Sequence, residues 1–153
     1  SLRSCCDMTL LGERQVIVDC DVLQADGGTR TASICGAYIA LHDALTRVQQ
    51  SGLITKHPLH SLCAAVSVGI HNGVPIIDLP YVEDSSAEVD MNVVMLQAHD
   101  STEPKFVEVQ GTAEGAAFSQ TQLSELLALA TAGLREVFAL QTQTLAVPPK
   151  PRP

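Results

Sequence analysis

The fold is decided by the segment LCAAVSVGIHNGVPIIDL at residues 62–79. Two β-branched runs, residues 62–70 and 74–79, lie on either side of His71-Asn72-Gly73. Asn-Gly between such runs is the strongest short-range signal for a β-hairpin. The two runs are therefore predicted to pair antiparallel.

A strand, a glycine turn and a helix are predicted before this hairpin. Residues 14–26 alternate between apolar and polar side chains, which favours a strand. Gly27-Gly28 ends the alternation, and over residues 29–50 the apolar side chains recur with the helical period. Residues 1–8 are helix-compatible but lack an N-cap, which predicts the end of a helix whose start is absent.

A second hairpin and a second long helix are predicted after it. Residues 91–96 and 106–109 form the strands of that hairpin, and the polar residues 97–105 connect them. Ser119 is a good N-cap for a helix that runs to about Thr144. The order β-α-β-β-β-β-α indicates an α+β fold, in which helices cover a mostly antiparallel sheet.

Length and composition predict one domain that does not span a membrane. The chain has 153 residues, of which 46% are apolar, and no apolar run reaches the length of a membrane helix. We expect a domain at residues 1–146 and a disordered Pro-rich tail at 147–153. The five cysteines are odd in number and lack C-x-x-C spacing, so reduced thiols in a cytoplasmic protein are expected.

The charge of the chain argues against a freestanding nucleic-acid binder. Its net charge is −8, and only 3% of its residues are aromatic. Phosphate backbones are bound by clustered Lys and Arg, and single strands stack on aromatic rings. If RNA is the substrate, the positive surface must come from elsewhere.

The glycine turn QADGGTRT, residues 24–31, is a candidate oxyanion site. Gly28 allows the backbone to approach a ligand, the N–H groups from Thr29 onward open a helix, and Arg30 adds a planar cation. The alternative is that the glycines only turn the chain and Arg30 is a solvated surface residue. The motif is neither a Walker A loop nor G-x-G-x-x-G.

An acidic loop at residues 81–92 is the second candidate, with four carboxylates within eight residues. Neighbouring carboxylates raise one another's pKa or bind a divalent cation, and either property suits phosphoryl chemistry. Glu83 and Glu88 are expected to be solvated, which leaves Asp84 and Asp90. The alternative is a solvated loop without function.

The histidines are weaker candidates. His57-x-x-His60 resembles half of a metal site, but it lies in a linker without further ligands nearby in sequence. His42 falls on the first long helix and His71 in the hairpin turn, where core or surface roles are expected.

Five stretches of the chain together resemble the bacterial ribonuclease PH family. In chain order they are residues 18–33 (VDCDVLQADGGTRTAS), 64–69 (AAVSVG), 81–85 (YVEDS), 90–95 (DMNVVM) and 108–115 (EVQGTAEG). The resemblance runs from residue 1 to about residue 145. It implies a ribosomal-protein-S5-domain-2-like fold, shared with polynucleotide phosphorylase and the archaeal exosome core.

The resemblance also implies a chemistry. Family members use inorganic phosphate to attack the last phosphodiester of RNA, particularly at tRNA 3′ ends, and release a nucleoside diphosphate. The phosphate site maps onto Gly28, Thr29 and Arg30. Acid catalysis or Mg²⁺ binding maps onto Asp84 and Asp90. The family assembles as a homohexamer, a trimer of dimers.

The match covers only the C-terminal two-thirds of the family pattern. The N-terminal third supplies the other half of the sheet, most basic residues and a second phosphate-binding arginine, so we expect no activity from residues 1–153 alone. A catalytically inactive ring subunit of the exosome type is the alternative function. Retention of Arg30, Asp84 and Asp90 favours the enzyme, because a scaffold needs none of them.

Overall fold

The computed structural model describes residues 1–149 and has an α+β architecture. A 3₁₀ turn at Leu2–Cys5 precedes four helices: α1 (Met8–Leu11), α2 (Thr29–Gln50), α3 (Tyr81–Asp84) and α4 (Gln120–Leu145). The strands are β1 (Ser61–His71), β2 (Val74–Ile77), β3 (Val89–Ala98) and β4 (Lys105–Ala113). They form one antiparallel sheet in the order β2-β1-β3-β4, which confirms the predicted fold class.

Both predicted hairpins are present. In the first, Asn72 and Gly73 form a two-residue turn with φ angles of 51° and 73°, and His71 lies opposite Val74. Two positive φ angles are the geometry of the turn that matches the strand twist, so the Asn-Gly signal was correct. The second hairpin is longer than predicted and has an irregularity between Val94 and Met95.

The predicted strand at residues 14–26 is wrong. This segment contains no helix or strand, and its apolar side chains are open to solvent: Val16 is 37%, Val18 41% and Val22 52% exposed. A strand requires a neighbour that pairs its N–H and C=O groups. Within residues 1–149, none of the four strands of the sheet pairs with this segment. Alternation alone therefore could not make it a strand.

The N-terminal prediction also needs correction. Residues 1–8 do not form the end of one helix, because a 3₁₀ turn stops at Cys5 and a separate short helix begins at Met8. Asp7 causes this restart, since its side chain accepts a hydrogen bond from the N–H of Thr9 at 2.9 Å and caps the second helix.

The two long helices pack on β1 and bury the predicted apolar stripes. Ser119 caps α4 in a reciprocal capping box with Gln122, as a Ser N-cap favours. The stripe residues that are buried are Ala37, Tyr38, Leu41 and Leu45 on α2, and Leu126, Ala130, Leu134 and Phe138 on α4. Burying each large side chain contributes about 1.5–3 kcal/mol relative to exposure.

Side chains cover the edge of β1 beyond the reach of β2. The Cys35 thiol accepts the N–H of Ala65 at 3.3 Å and donates to the carbonyl of the same residue at 3.2 Å. Gln141 Nε2 donates to the carbonyl of Cys63 at 2.9 Å. Backbone groups that an adjacent strand would otherwise pair are thus satisfied by helices α2 and α4.

The remaining expectations from composition concern the cysteines and the tail. All five cysteines are free thiols; Cys5 and Cys63 are buried, whereas Cys20 is exposed. The predicted disordered tail at 147–153 falls mostly outside the described residues, which end at 149. Within residues 1–149 we find no helix with the length and apolar character required to cross a bilayer.

Candidate functional site

The N-terminus of α2 and a polar patch of the sheet enclose a small cavity. Ser67 lies opposite Asn92, and Asp90 lies opposite Gly69, so these polar side chains project from one face of the sheet. The cavity has a volume of about 210 Å³ and is lined by Asp26, Gly28, Thr29, Arg30, Ser67, Asp84, Asp90 and Asn92. All five residues predicted from the sequence lie around it.

Two glycines determine the backbone conformation at the N-terminus of α2. A Cβ atom on Gly27 would lie 1.9 Å from the carbonyl oxygen of Leu79, so only glycine lets the chain between β2 and α3 pass at this point. Gly28 is the N-cap of α2 in the left-handed conformation, with φ 68°. No side chain within residues 1–149 caps this helix. The first-turn N–H groups therefore remain available to an anion.

The turn is held by its own hydrogen bonds and by Asp26. The hydroxyl of Thr29 donates to the carbonyl of Asp26 at 2.8 Å, so the contribution of Thr29 to a ligand is its backbone N–H. Asp26 Oδ1 accepts the N–H of Gly27 at 2.8 Å and the N–H of Tyr81 at 2.5 Å. The hydrogen bond from Tyr81 makes the larger contribution to lowering the pKa of Asp26, and the bond from Gly27 adds to it. The carboxylate of Asp26 therefore stays ionised.

Arg30 is engaged by a carboxylate that sequence reasoning did not single out. Its guanidinium Nη2 lies 2.5 Å from Oε1 of Glu108 in β4. The Arg30 hydrogen bond lowers the pKa of Glu108, so this carboxylate remains charged. The two side chains are separated by 78 residues and meet only because β4 joins the sheet beside β3. No local pattern could reveal the pair.

Asp84 and Asp90 reach the cavity from different elements. Asp84 ends α3, whereas Asp90 lies near the start of β3. Burial raises the pKa of Asp90, and the neighbouring charges of Asp84 and Glu114 raise it further. Asp90 therefore retains a proton to higher pH than an ordinary aspartate, which is the property required of a general acid. Glu114 lies in the segment that connects β4 to α4, and the sequence analysis did not identify it as a candidate site residue.

The other two acidic residues of the loop do not line this cavity. Glu88 is exposed, and its Oε1 accepts the N–H of Gly73 at 3.2 Å, so it supports the hairpin turn. Glu83 is half-buried rather than solvated. The prediction of a solvated side chain is therefore confirmed for Glu88 and only partly met by Glu83.

Three carboxylates line the cavity, but Asp26 accepts two backbone N–H groups, so a metal ion would rely on Asp84 and Asp90. The described chain contains no group of three or more His, Cys, Asp or Glu side chains positioned for a metal. Mg²⁺ nevertheless binds through one or two carboxylates together with waters and substrate phosphates, so Asp84 and Asp90 fit it chemically. Their mutual repulsion, which raises the pKa of Asp90, would be relieved by a cation.

The histidines contact protein atoms away from the cavity. The rings of His42 and His57 stack with their centroids 4.7 Å apart, and burial lowers the pKa of His57. His60 Nδ1 lies 2.8 Å from the hydroxyl of Ser61. The His57-x-x-His60 motif thus takes part in local packing.

Comparison with known families gives two matches along the chain. Residues 1–46 match the model described as "3′ exoribonuclease family, domain 1", and residues 61–133 match "3′ exoribonuclease family, domain 2". Together the two matches cover well over half of the sequence.

Comparison with solved structures supports the same architecture. The chain is similar to Rrp46 of rice (Oryza sativa), with a TM-score of 0.62 and 16% sequence identity over 82% of this chain. It spans 52% of the length of that structure. At 16% identity the likeness shows a shared fold. It does not assign roles to the residues that line the cavity.

Proposed function

Because the chain belongs to the 3′ exoribonuclease family, matching both of its domains, we propose that it forms the phosphorolytic centre of a 3′→5′ exoribonuclease acting on tRNA precursors, a tRNA nucleotidyltransferase. One observation carries the proposal. A single cavity joins an uncapped helix N-terminus and an arginine with an aspartate of raised pKa. Phosphorolysis requires an anion site and an acid side by side.

In the proposed reaction, inorganic phosphate is the nucleophile. The N–H groups at Gly28 and Thr29 and the guanidinium of Arg30 bind it and orient one oxygen toward the last phosphodiester. That oxygen bonds to phosphorus while the bond to the 3′ oxygen of the penultimate nucleotide breaks. The products are a nucleoside diphosphate and an RNA one nucleotide shorter.

The leaving 3′ oxygen needs a proton, and Asp90 is suited to provide it. Its raised pKa keeps a larger fraction of its side chain protonated than in an ordinary aspartate at the same pH, and the proton lost by the attacking phosphate restores it. In the alternative role, the ionised carboxylates of Asp84 and Asp90 would hold Mg²⁺. When bound, the ion supplies neutralisation of the charge on the transferring group.

An inactive structural subunit of a ring is the second candidate. Two observations favour it. Glu108 forms an ion pair with Arg30, the residue proposed to bind phosphate, and the chain has a net charge of −8. In either case RNA needs a positive surface from other protein, and we propose a homohexamer, a trimer of dimers, as its source. Light scattering of the purified protein tests that assembly.

The decisive experiment is phosphate-dependent trimming of a 3′-labelled tRNA precursor by the protein in its native length. We expect nucleoside diphosphates to form only when phosphate is present. Arg30→Ala should reduce the rate on the order of 10²-fold or more. Arg135→Ala, which removes an arginine paired with Glu103 at 3.7 Å in another part of the surface, is the matched control.

The outcomes separate the two candidates. Phosphate-dependent trimming that Arg30→Ala abolishes and Arg135→Ala preserves supports the enzyme. RNA binding without any trimming by the wild-type protein supports the structural subunit. Trimming that yields nucleoside monophosphates without phosphate would contradict phosphorolysis.

A further inference from the structure

Ser67 has a buried hydroxyl that faces the cavity and has no partner. The residue lies in the middle of β1 and is only 2% exposed. Within the described chain, its Oγ makes no hydrogen bond. Its side chain lines the cavity together with Gly28, Thr29, Arg30 and Asp90. A buried hydroxyl normally finds a partner, so this one is unusual.

The position of the hydroxyl is fixed by the strand and by the glycine turn. The carbonyl of Ser67 accepts the N–H of Asp78 at 2.8 Å, which holds the backbone beside β2. A Cβ atom on Gly28 would lie 3.0 Å from Ser67 Oγ. The hydroxyl therefore lies against the N-cap of α2, where the positive end of the helix dipole is found.

Other buried polar atoms without a partner do not share this setting. The hydroxyl of Tyr38 and Oε1 of Gln141 are also unpaired among residues 1–149, but neither residue lines the cavity. Within residues 1–149, Ser67 alone combines an unpaired hydroxyl with a place beside the proposed anion ligands. A hydroxyl donates one hydrogen bond and rotates freely to aim it, which suits a tetrahedral oxyanion.

We propose that Ser67 is a further ligand of the attacking phosphate, donating its hydroxyl to an oxygen that the helix N-terminus and Arg30 leave unbound. The inference rests on the proposed function, since it assigns a residue to the same site. Ser67 holds the phosphate from the strand side, opposite Arg30. It thereby fixes the rotation of the anion, which the N–H groups of α2 alone do not determine.

The test compares Ser67→Ala with Ser61→Ala. Both serines are buried in β1, but Ser61 already has a partner in His60 and lies away from the cavity. Without phosphate, Ser67→Ala should keep or raise the melting temperature, because it removes an unsatisfied polar group. Ser61→Ala should lower it. A structural role for Ser67 would give the opposite sign for Ser67→Ala.

Added inorganic phosphate should then raise the melting temperature of the wild type and of Ser61→Ala, but much less that of Ser67→Ala. In the trimming assay, Ser67→Ala should raise KM for phosphate about tenfold or more and leave KM for RNA unchanged. Ser67→Thr keeps the hydroxyl and should recover much of the phosphate affinity.

The outcomes distinguish the inference from the function on which it rests. If Ser67→Ala retains the wild-type response to phosphate while Arg30→Ala loses it, the role of Ser67 is overturned and the phosphate site stands. If phosphate stabilises the wild type through Ser67 but no RNA is trimmed, the anion ligand stands and the enzymatic function fails. If phosphate affects neither wild-type stability nor activity, both are overturned.

Discussion

The carboxylate of Asp26 accepts the backbone N–H of Tyr81, which lies 55 residues further along the chain. The same oxygen accepts the N–H of Gly27, so one atom ties the glycine turn to the start of α3. The turn carries the proposed phosphate ligands, whereas α3 ends at Asp84. This hydrogen bond therefore sets the spacing between the two halves of the candidate site.

Replacing Asp26 by Ala should separate these halves. We expect a loss of about tenfold or more in kcat/KM, because small displacements of positioned groups are costly in phosphoryl transfer. Asp7→Ala is the control, since Asp7 also accepts a backbone N–H through its side chain but caps α1. Steady-state kinetics of both variants provide the measurement. Equal effects of the two substitutions would indicate a general loss of stability instead.

Glu108→Gln should strengthen phosphate binding. The substitution replaces the charged acceptor of Arg30 by a neutral amide, which binds the guanidinium more weakly and is displaced more easily by the anion. A half-exposed ion pair is weak, so we expect KM for phosphate to fall about two- to fivefold. Glu103→Gln changes the charge equally at the pair with Arg135 and should have no effect. A higher KM for Glu108→Gln would mean that Glu108 orients Arg30 rather than competing for it.

Asp90→Asn should abolish the supply of a proton while preserving side-chain size. Phosphorolysis and the reverse polymerisation from nucleoside diphosphates share one transition state and should fall together, by about 10²–10⁴-fold. RNA binding, measured by filter retention, should survive. A variant that retains turnover would remove Asp90 from the mechanism.

The same substitution should stabilise the fold at neutral pH. The raised pKa of Asp90 means that its charge opposes folding; this penalty grows as the pH rises from the unfolded pKa through the folded pKa and is complete above it. Asp90→Asn should therefore raise Tm at pH 7, and solvent screening of the half-buried side chain keeps the gain small. Melting curves should show a higher Tm for the variant at pH 7. The difference should disappear near pH 3, where the wild-type Asp90 is protonated and is as neutral as the amide of the variant.

Gly27→Ala should disrupt the packing of the turn against the chain after β2. The new methyl group would overlap the carbonyl oxygen of Leu79, and we expect a loss of about 1–3 kcal/mol in the free energy of unfolding. Gly36→Ala is the control, because nothing lies within 4 Å of its Cβ position on α2. That change should stabilise the helix by about 0.4–1 kcal/mol. Urea denaturation measures the free energy of unfolding of both variants. A lower free energy of unfolding for Gly36→Ala would contradict the comparison, because it would show that added methyl groups destabilise this region without a clash.

Local signals in the sequence were sufficient for features that one segment determines. Asn72-Gly73 predicted its hairpin and Ser119 predicted a helix start, because turn and cap energetics depend on neighbouring residues. The glycine turn and the acidic loop were also identified, though their roles stay predictions. The strand at 14–26 failed because strand formation depends on a partner that alternation does not reveal.

The residues missed at the site have the same explanation. Ser67 reads as one small residue in a buried strand, and Glu108 as one charge in an edge strand. Each acquires its neighbours only through the antiparallel register of the sheet, which places Ser67 opposite Asn92 and aligns Glu108 with Val94. Such contacts cross long sequence separations and leave no periodic pattern.

The contacts of Cys35 and Gln141 with β1 bear on how the protein avoids self-association. A strand edge with free N–H and C=O groups is a template for sheet growth between molecules. Here the two side chains occupy the positions that an incoming strand would need at Cys63 and Ala65. The shield lasts only while α2 and α4 remain docked. A local opening that leaves most of the fold intact would therefore be enough to start aggregation from β1.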